Sequence, residues 1–184
     1  MPEYKHNALV TFHPETRAKI IPKKQIEIFI KSIEKLKNIL FLITYNNKDE
    51  FGNYFLKKIK KLKKKKNIVL FKSLGAKNYY NFLKFSDVVI GNSSSGITEA
   101  PITKTPTINI GSRQDGREFS KSIFNVPLNS KLIKHKIYKV LKLKKIDYQK
   151  LFFKKDTSKK IADKIYELLS EKKKIKSFKD IFLK

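Results

Sequence analysis

Three consecutive serines, Ser93, Ser94 and Ser95, stand between Gly91 and Gly96, with Glu99 three residues further on and Arg113 beyond the next apolar run. Hydroxyls, a glycine-opened backbone and a guanidinium are all donors, and together they suit an oxyanion. Spacing narrows which one. A nucleophile elbow needs G-x-S-x-G, and beyond Ser93 the chain places Ser95 where the second glycine belongs. A P-loop needs a lysine after its second glycine, where this chain has Ile97, so nothing reaches the end of a triphosphate. The dinucleotide fingerprint fails at its second glycine, position 93.

What survives is more general, a seat for a phosphate or pyrophosphate. A glycine-flanked turn leading into a helix aims main-chain N–H groups, and the positive end of the helix dipole, at an anion. A cap alone needs one serine and is worth about 1 kcal/mol; three leave an excess. Glu99 would repel a phosphate but can accept two hydrogen bonds from a ribose diol, so a nucleoside diphosphate satisfies both features. Arg113 and Arg117 are two of only three arginines among 43 basic residues, and both lie in "GSRQDGRE". Arginine's planar fork suits a pyrophosphate as lysine does not, which makes Arg113 the expected grip. Arg117 is expected to pair with Asp115, Glu118 or a neighbouring domain. His13, in "TFHP", is equally readable as structural or functional from periodicity, and its place at a strand end favours function.

The elements that must position these residues follow from periodicity. "NALVTFHP" reads as a strand, and "KKQIEIFIKSIEKLKN" as a helix with Ile26, Phe29, Ile30, Ile33 and Leu36 or Leu40 on one face. "ILFLITYNN" is apolar at nearly every position, as a parallel strand covered on both sides requires. The pattern repeats: a helix from about 49 to 66, the strand "NIVLFKSL", the helix "AKNYYNFLKF", the strand "DVVIGN", a short helix "GITEAPITK" and the strand "PTINIG". An edge strand "IFNVP" and helices over 130–145 and 157–173 close the chain. Alternating strands and helices predict an α/β fold, a Rossmann-like doubly wound parallel sheet. Ligands of such sheets bind beyond the carboxyl ends of the strands, here at His13, Asn46 and Asn47, Ser73 to Gly75, Gly91 to Ser95, and Gly111 to Arg113.

A chain of 184 residues supports one good-sized core, so one domain is expected, with a helical tail over 146–184. There is no cysteine, hence neither disulfides nor thiolate metal sites; no metal and no cofactor are expected. No stretch approaches about 18 apolar residues, which favours a cytoplasmic protein without membrane contact. A net charge of +27 argues for nucleic acid, but "KKIKKLKKKK" sets its lysines around Ile59 and Leu62 at helical spacing, as a solvated face over an apolar stripe does. No dedicated nucleic-acid partner is expected.

"GNSSSGITEAP" followed by "TPTINIGSRQDGRE" resembles the signature of the hydrolysing UDP-N-acetylglucosamine 2-epimerases, and "LVTFHPET" and "FLITYNNKDEFG" are similar to that family's segments in the same order. The resemblance implies the nucleotide-binding, C-terminal half of a GT-B architecture. By matching position it implies that Ser93, Ser94, Gly96 and Arg113 hold the diphosphate of UDP and Glu99 the ribose. It further implies that His13 reaches the phosphate or sugar, that Asn47 lies on the nucleotide side of the cleft, and that Ser73 to Gly75 border the uracil. The implied reaction converts UDP-N-acetylglucosamine and water to N-acetylmannosamine and UDP through a glycal-like intermediate, in sialic or nonulosonic acid synthesis. Two departures stand out: Glu15 where the family usually has an apolar residue, and "NNKDEFG" in place of a more glycine-rich turn. The family's catalytic carboxylates belong to an N-terminal domain, so this chain is expected to be a fragment, a split half or a remnant, partnered by that half and associating as a homo-oligomer. A glycosyltransferase-like nucleotide-sugar module and a basic nucleic-acid-binding protein stay open as alternatives.

Overall fold

Strands that are apolar at every position need cover on both faces, and their alternation sends neighbouring side chains to opposite sides. In β1 (His6–Thr11), Ala8 and Val10 enter one core and Leu9 the other; in β2 (Ile39–Thr44), Phe41 and Ile43 enter the first and Leu42 the second. The computed structural model describes residues 4–16, 18–44, 51–62 and 65–170. With β3 (Ile68–Phe71), β4 (Val88–Gly91), β5 (Thr107–Ile110) and β6 (Ile123–Val126), these strands form one sheet in the order β3-β2-β1-β4-β5-β6, every neighbouring pair parallel. The expected doubly wound α/β sheet is the one found, and "IFNVP" is its parallel edge.

The larger core lies under α1 (Pro22–Ile33), α2 (Gly52–Leu62) and α5 (Ser130–Leu141), which contribute Ile26, Phe29, Ile33, Phe55, Ile59 and Ile137. Phe12, just past β1, stacks on Phe29 with centroids 4.7 Å apart and so ties the start of the ligand-side loop to α1. Of the stripe expected along α1, Ile26, Phe29, Ile33 and Leu36 are buried and Ile30 is half-buried, whereas Leu40 belongs to β2. Pro22 opens α1, where its missing N–H costs nothing, and Asn129 caps α5 by accepting from the N–H groups of Lys131 and Leu132. On the opposite face, α3 (Gly75–Phe85) buries Leu83 against Leu9, Leu42 and Val89.

Three helices are shorter than their periodicity suggests. The segment expected to be helical over 49–66 is helix from Gly52 to Leu62, and α5 stops at Leu141. The helix expected from Gly96 is a single turn, α4 (Ser95–Thr98). Pro101 has no N–H to continue it, and the chain goes on in turns to Lys104, which takes a left-handed φ of 58°.

The chain divides into two compact units, Met1–Phe152 and Phe153–Lys184. The described part of the second contains α6 (Thr157–Ser170), on which Ile161, Ile165 and Leu168 line up at helical spacing and are all exposed. No helix among the described residues is long and apolar enough to cross a membrane.

Candidate nucleotide site

The strand order decides where a ligand can sit. From β1 the chain winds outward through β2 and β3, then crosses back to place β4 on the other side of β1. The loops after β1 and β4 therefore diverge, and the crevice between them is the usual binding place of such sheets. His13 follows β1, the serine loop follows β4, and Gly111 to Arg113 follow β5.

The close approach of β1 and β4 dictates Gly91. It pairs with Thr11 and has φ 142°; a Cβ there would lie 1.9 Å from the Thr11 carbonyl oxygen. Past it, Asn92 is buried and acts as a hub. Its side chain accepts from the His13 N–H (2.7 Å) and donates to the His13 carbonyl (2.8 Å), closing a two-bond clamp on the β1 loop. Its carbonyl accepts from Arg113 Nη1 (2.9 Å) and from Gln114 Nε2 (2.8 Å), drawing in the β5 loop. One asparagine thus brings His13, the serine loop and Arg113 together.

The serines divide their work. The main-chain N–H groups of Ser93, Ser94 and Ser95 have no hydrogen-bond partner among the described residues, three adjacent donors of the kind an anion takes. No serine side chain caps α4, so the reading of these residues as mere helix caps is not what the chain uses them for. Ser94 is exposed and Ser93 half-buried, while the Ser95 hydroxyl is already hydrogen-bonded to that of Tyr79. A one-turn helix has little dipole, so the donors themselves must supply what attraction there is. Gly96 has a packing role: its N–H is used by the Ser93 carbonyl, its carbonyl accepts from the Thr107 hydroxyl, and a Cβ would meet Thr107 Cγ2 at 2.9 Å.

Beside the serines opens a cleft of about 400 Å³, lined among others by Thr11, Thr44, Ser73, Gly75, Tyr79 and Glu99. The Glu99 carboxylate has no hydrogen-bond partner among the described residues, and burial raises its pKa above the ordinary carboxylate value. Burial also pushes the Tyr79 phenol up. Below, the Thr11 and Thr44 hydroxyls share a 2.7 Å hydrogen bond across β1 and β2. Ser73 to Gly75, Ser93 and Glu99 therefore share one cavity, while His13 and Arg113 meet at Asn92, the residue before Ser93. Asn47 lies outside the described residues. Arg117 is exposed and makes no ion pair with Asp115 or Glu118, because the turns after Ser112 leave all three side chains in solvent; of the expected partners that leaves a neighbouring domain.

Asn92, Tyr79, Thr11 and Thr44 escaped the sequence reading. Thr11 and Thr44 were within reach of the strand-end rule that found His13; Asn92 stood inside the quoted motif, masked by its serines; nothing in "AKNYYNFLKF" marks Tyr79.

Residues 2–166 match the family model described as UDP-N-acetylglucosamine 2-epimerase. The chain belongs to this family. Among curated proteins it is similar to the GDP/UDP-N,N'-diacetylbacillosamine 2-epimerase (hydrolyzing) of Campylobacter jejuni, 39% identical over 129 residues that cover 66% of this chain and 32% of that protein. It is also similar to polysialic acid biosynthesis protein P7 of Escherichia coli, 35% identical over 126 residues, 68% of this chain and 32% of that one. The chain thus spans about a third of the length of these two relatives. Two solved structures share its fold: S. aureus MnaA with UDP (TM-score 0.70, 19% identity, 90% of this chain and 45% of that one) and the Methanocaldococcus jannaschii UDP-GlcNAc 2-epimerase with UDP-GlcNAc and UDP (TM-score 0.69, 19% identity, 90% and 46%). The Rossmann-like half of the epimerases' GT-B architecture is the fold this chain adopts.

Proposed function

We propose that this chain is the UDP-binding half of a hydrolysing UDP-N-acetylglucosamine 2-epimerase. The observation that carries the reading is the juxtaposition of three N–H groups, Ser93 to Ser95, with the partly desolvated carboxylate of Glu99, all without a hydrogen-bond partner among the described residues. An anion seat and a diol acceptor on one cleft match a nucleoside diphosphate and little else. In this reading the serine-loop amides, the Ser93 and Ser94 hydroxyls and Arg113 hold the diphosphate, Glu99 holds the ribose hydroxyls, and Ser73 to Gly75 border the base. His13 faces the phosphate or the sugar.

The reaction proposed for the whole enzyme loses UDP from a sugar activated at C1, passes through a glycal-like intermediate and adds water to give the 2-epimer. Negative charge grows on the departing β-phosphate, and preformed donors aimed at that charge lower the barrier. This chain supplies those donors. Removing the C2 proton needs a positioned base; Glu99, the acid lining the cleft, is committed to the ribose, so the base is assigned to the part of the enzyme by which the relatives exceed this chain. Relatives acting on N-acetylated and N,N'-diacetylated sugars leave either sugar compatible with the UDP seat.

Calorimetric titration tests the reading directly. UDP is expected to bind with higher affinity than uridine, and UDP-N-acetylglucosamine to bind without turnover until the remaining half is supplied. No heat and no thermal shift at millimolar UDP would overturn it.

A further inference from the structure

Glu15 lies two residues after His13 and reaches across the crevice to the β5 loop. Its Oε1 accepts from the Ser112 N–H (3.2 Å) and its Oε2 from the Ser112 hydroxyl (2.9 Å). Its main chain is pinned in turn by Gln25, a buried residue of α1: Gln25 Oε1 accepts from the Glu15 N–H (2.7 Å), and Gln25 Nε2 donates to the carbonyls of Glu15 (2.8 Å) and Ile20 (2.6 Å). The carboxylate therefore stands on a rigid base, although the loop that carries it has no regular structure. Gly111 is shaped to receive it, since with φ 77° a Cβ there would lie 2.6 Å from Glu15 Oε1.

A carboxylate beside a proposed diphosphate seat is electrostatically unfavourable. Something other than ligand contact must account for it, and the pair of bonds to Ser112 does. Arg113, the next residue, has one guanidinium nitrogen on the Asn92 carbonyl, yet the side chain is exposed and its backbone comes from an irregular loop. Gln114, buried and bonded to the same Asn92 carbonyl, anchors the loop after Arg113; before Arg113 the side-chain hold is Glu15 on Ser112, and without it that end of the loop would have to be ordered at each binding event, which lowers affinity.

We propose that Glu15 is a positioning residue whose clasp on Ser112 holds the β5 loop so that Arg113 meets the diphosphate already in place. The inference rests on the UDP-binding reading and deepens it. It separates three roles by sign. As a clasp, Glu15→Ala weakens UDP roughly ten-fold while uridine, which lacks the phosphates, binds as before; Glu15→Gln, whose amide oxygen still accepts from the Ser112 N–H, regains most of the loss. As a merely repulsive charge, both variants would bind UDP more tightly. As a general fold support, Glu15→Ala would weaken UDP and uridine together and lower the melting temperature.

The experiment is calorimetry of the full chain and of Glu15→Ala, Glu15→Gln, Ser112→Ala and the Glu15→Ala/Ser112→Ala double variant with UDP and with uridine. Amide hydrogen exchange at Ser112 is measured in parallel without ligand. Losses in the double variant are expected to be less than additive, and Ser112 exchange is expected to quicken in Glu15→Ala. Unchanged or tighter UDP binding by Glu15→Ala, equal losses for UDP and uridine, or unchanged Ser112 exchange overturns the clasp. A full chain that binds no UDP overturns the functional reading instead, and the exchange measurement still decides whether Glu15 orders the loop.

Discussion

Half-buried Glu99 and buried Asn92 illustrate two uses of a polar side chain, one open toward the cleft and one spent within the protein. Burial raises the Glu99 pKa, so in the folded chain the carboxyl binds its proton more tightly than in the unfolded chain. Its contribution to stability is then present in full below the unfolded pKa and lost as pH rises through the folded value. Glu99→Gln, neutral throughout, is expected to become more stable than the parent as pH is raised from 4 to 8, and to bind UDP about ten-fold more weakly because an amide replaces the diol's acceptor. Urea midpoints across that pH range check the first part; a gap that does not widen toward pH 8 refutes it. Asn92→Ala removes both bonds to the His13 main chain, an expected loss of about 1–3 kcal/mol, with UDP affinity reduced as His13 and the serine loop separate.

At the scale of elements, the site depends on how closely β4 lies against β1. Gly91→Ala is expected to cost at least about 3 kcal/mol, since a methyl cannot occupy the position of the Thr11 carbonyl oxygen; urea denaturation measures it, and a loss under about 1 kcal/mol would show that the strands part easily. Legibility in the sequence followed the same division. Strands and helices were readable because apolar periodicity is local, and the strand ends put His13, Ser93 and Arg113 on one edge before any pairing was known. What could not be read was which strands are neighbours. Pairing of β1 with β4 joins Thr11 to Gly91, eighty residues along the chain, and no local pattern encodes it. Asn92 and Tyr79 were missed for that reason: the importance of each comes from residues far away in sequence.

For the whole molecule the prominent term is charge. With a net +27 the folded chain repels itself, and the effect is screened within about 10 Å at 0.1 M salt. Two outcomes are expected: the melting temperature rises between 0.02 and 0.5 M sodium chloride, and over the same range UDP affinity falls about ten-fold while uridine affinity barely changes. Equal salt dependence for both ligands would mean that the bulk charge does not act at the site. On α2 the lysines surround a stripe of Phe55, Ile59 and Leu62, all buried, so that helix is the solvated cover its periodicity suggested, and its lysines lend the field without touching the cleft.

The sequence by itself determined the alternation of elements, the edge of the sheet on which the candidate site lies, and the donor chemistry of the serine loop. Each rests on residue type and on periods of two or 3.6, which need no partner to be seen. Only the tertiary structure decided that β4 lies beside β1, that Asn92 joins three loops, that the Ser95 hydroxyl is already engaged by Tyr79 and reaches that of Ser93, and that Glu15 meets Ser112. Those are contacts between distant segments, and their geometry is set by packing two cores on one sheet rather than by any single stretch of chain.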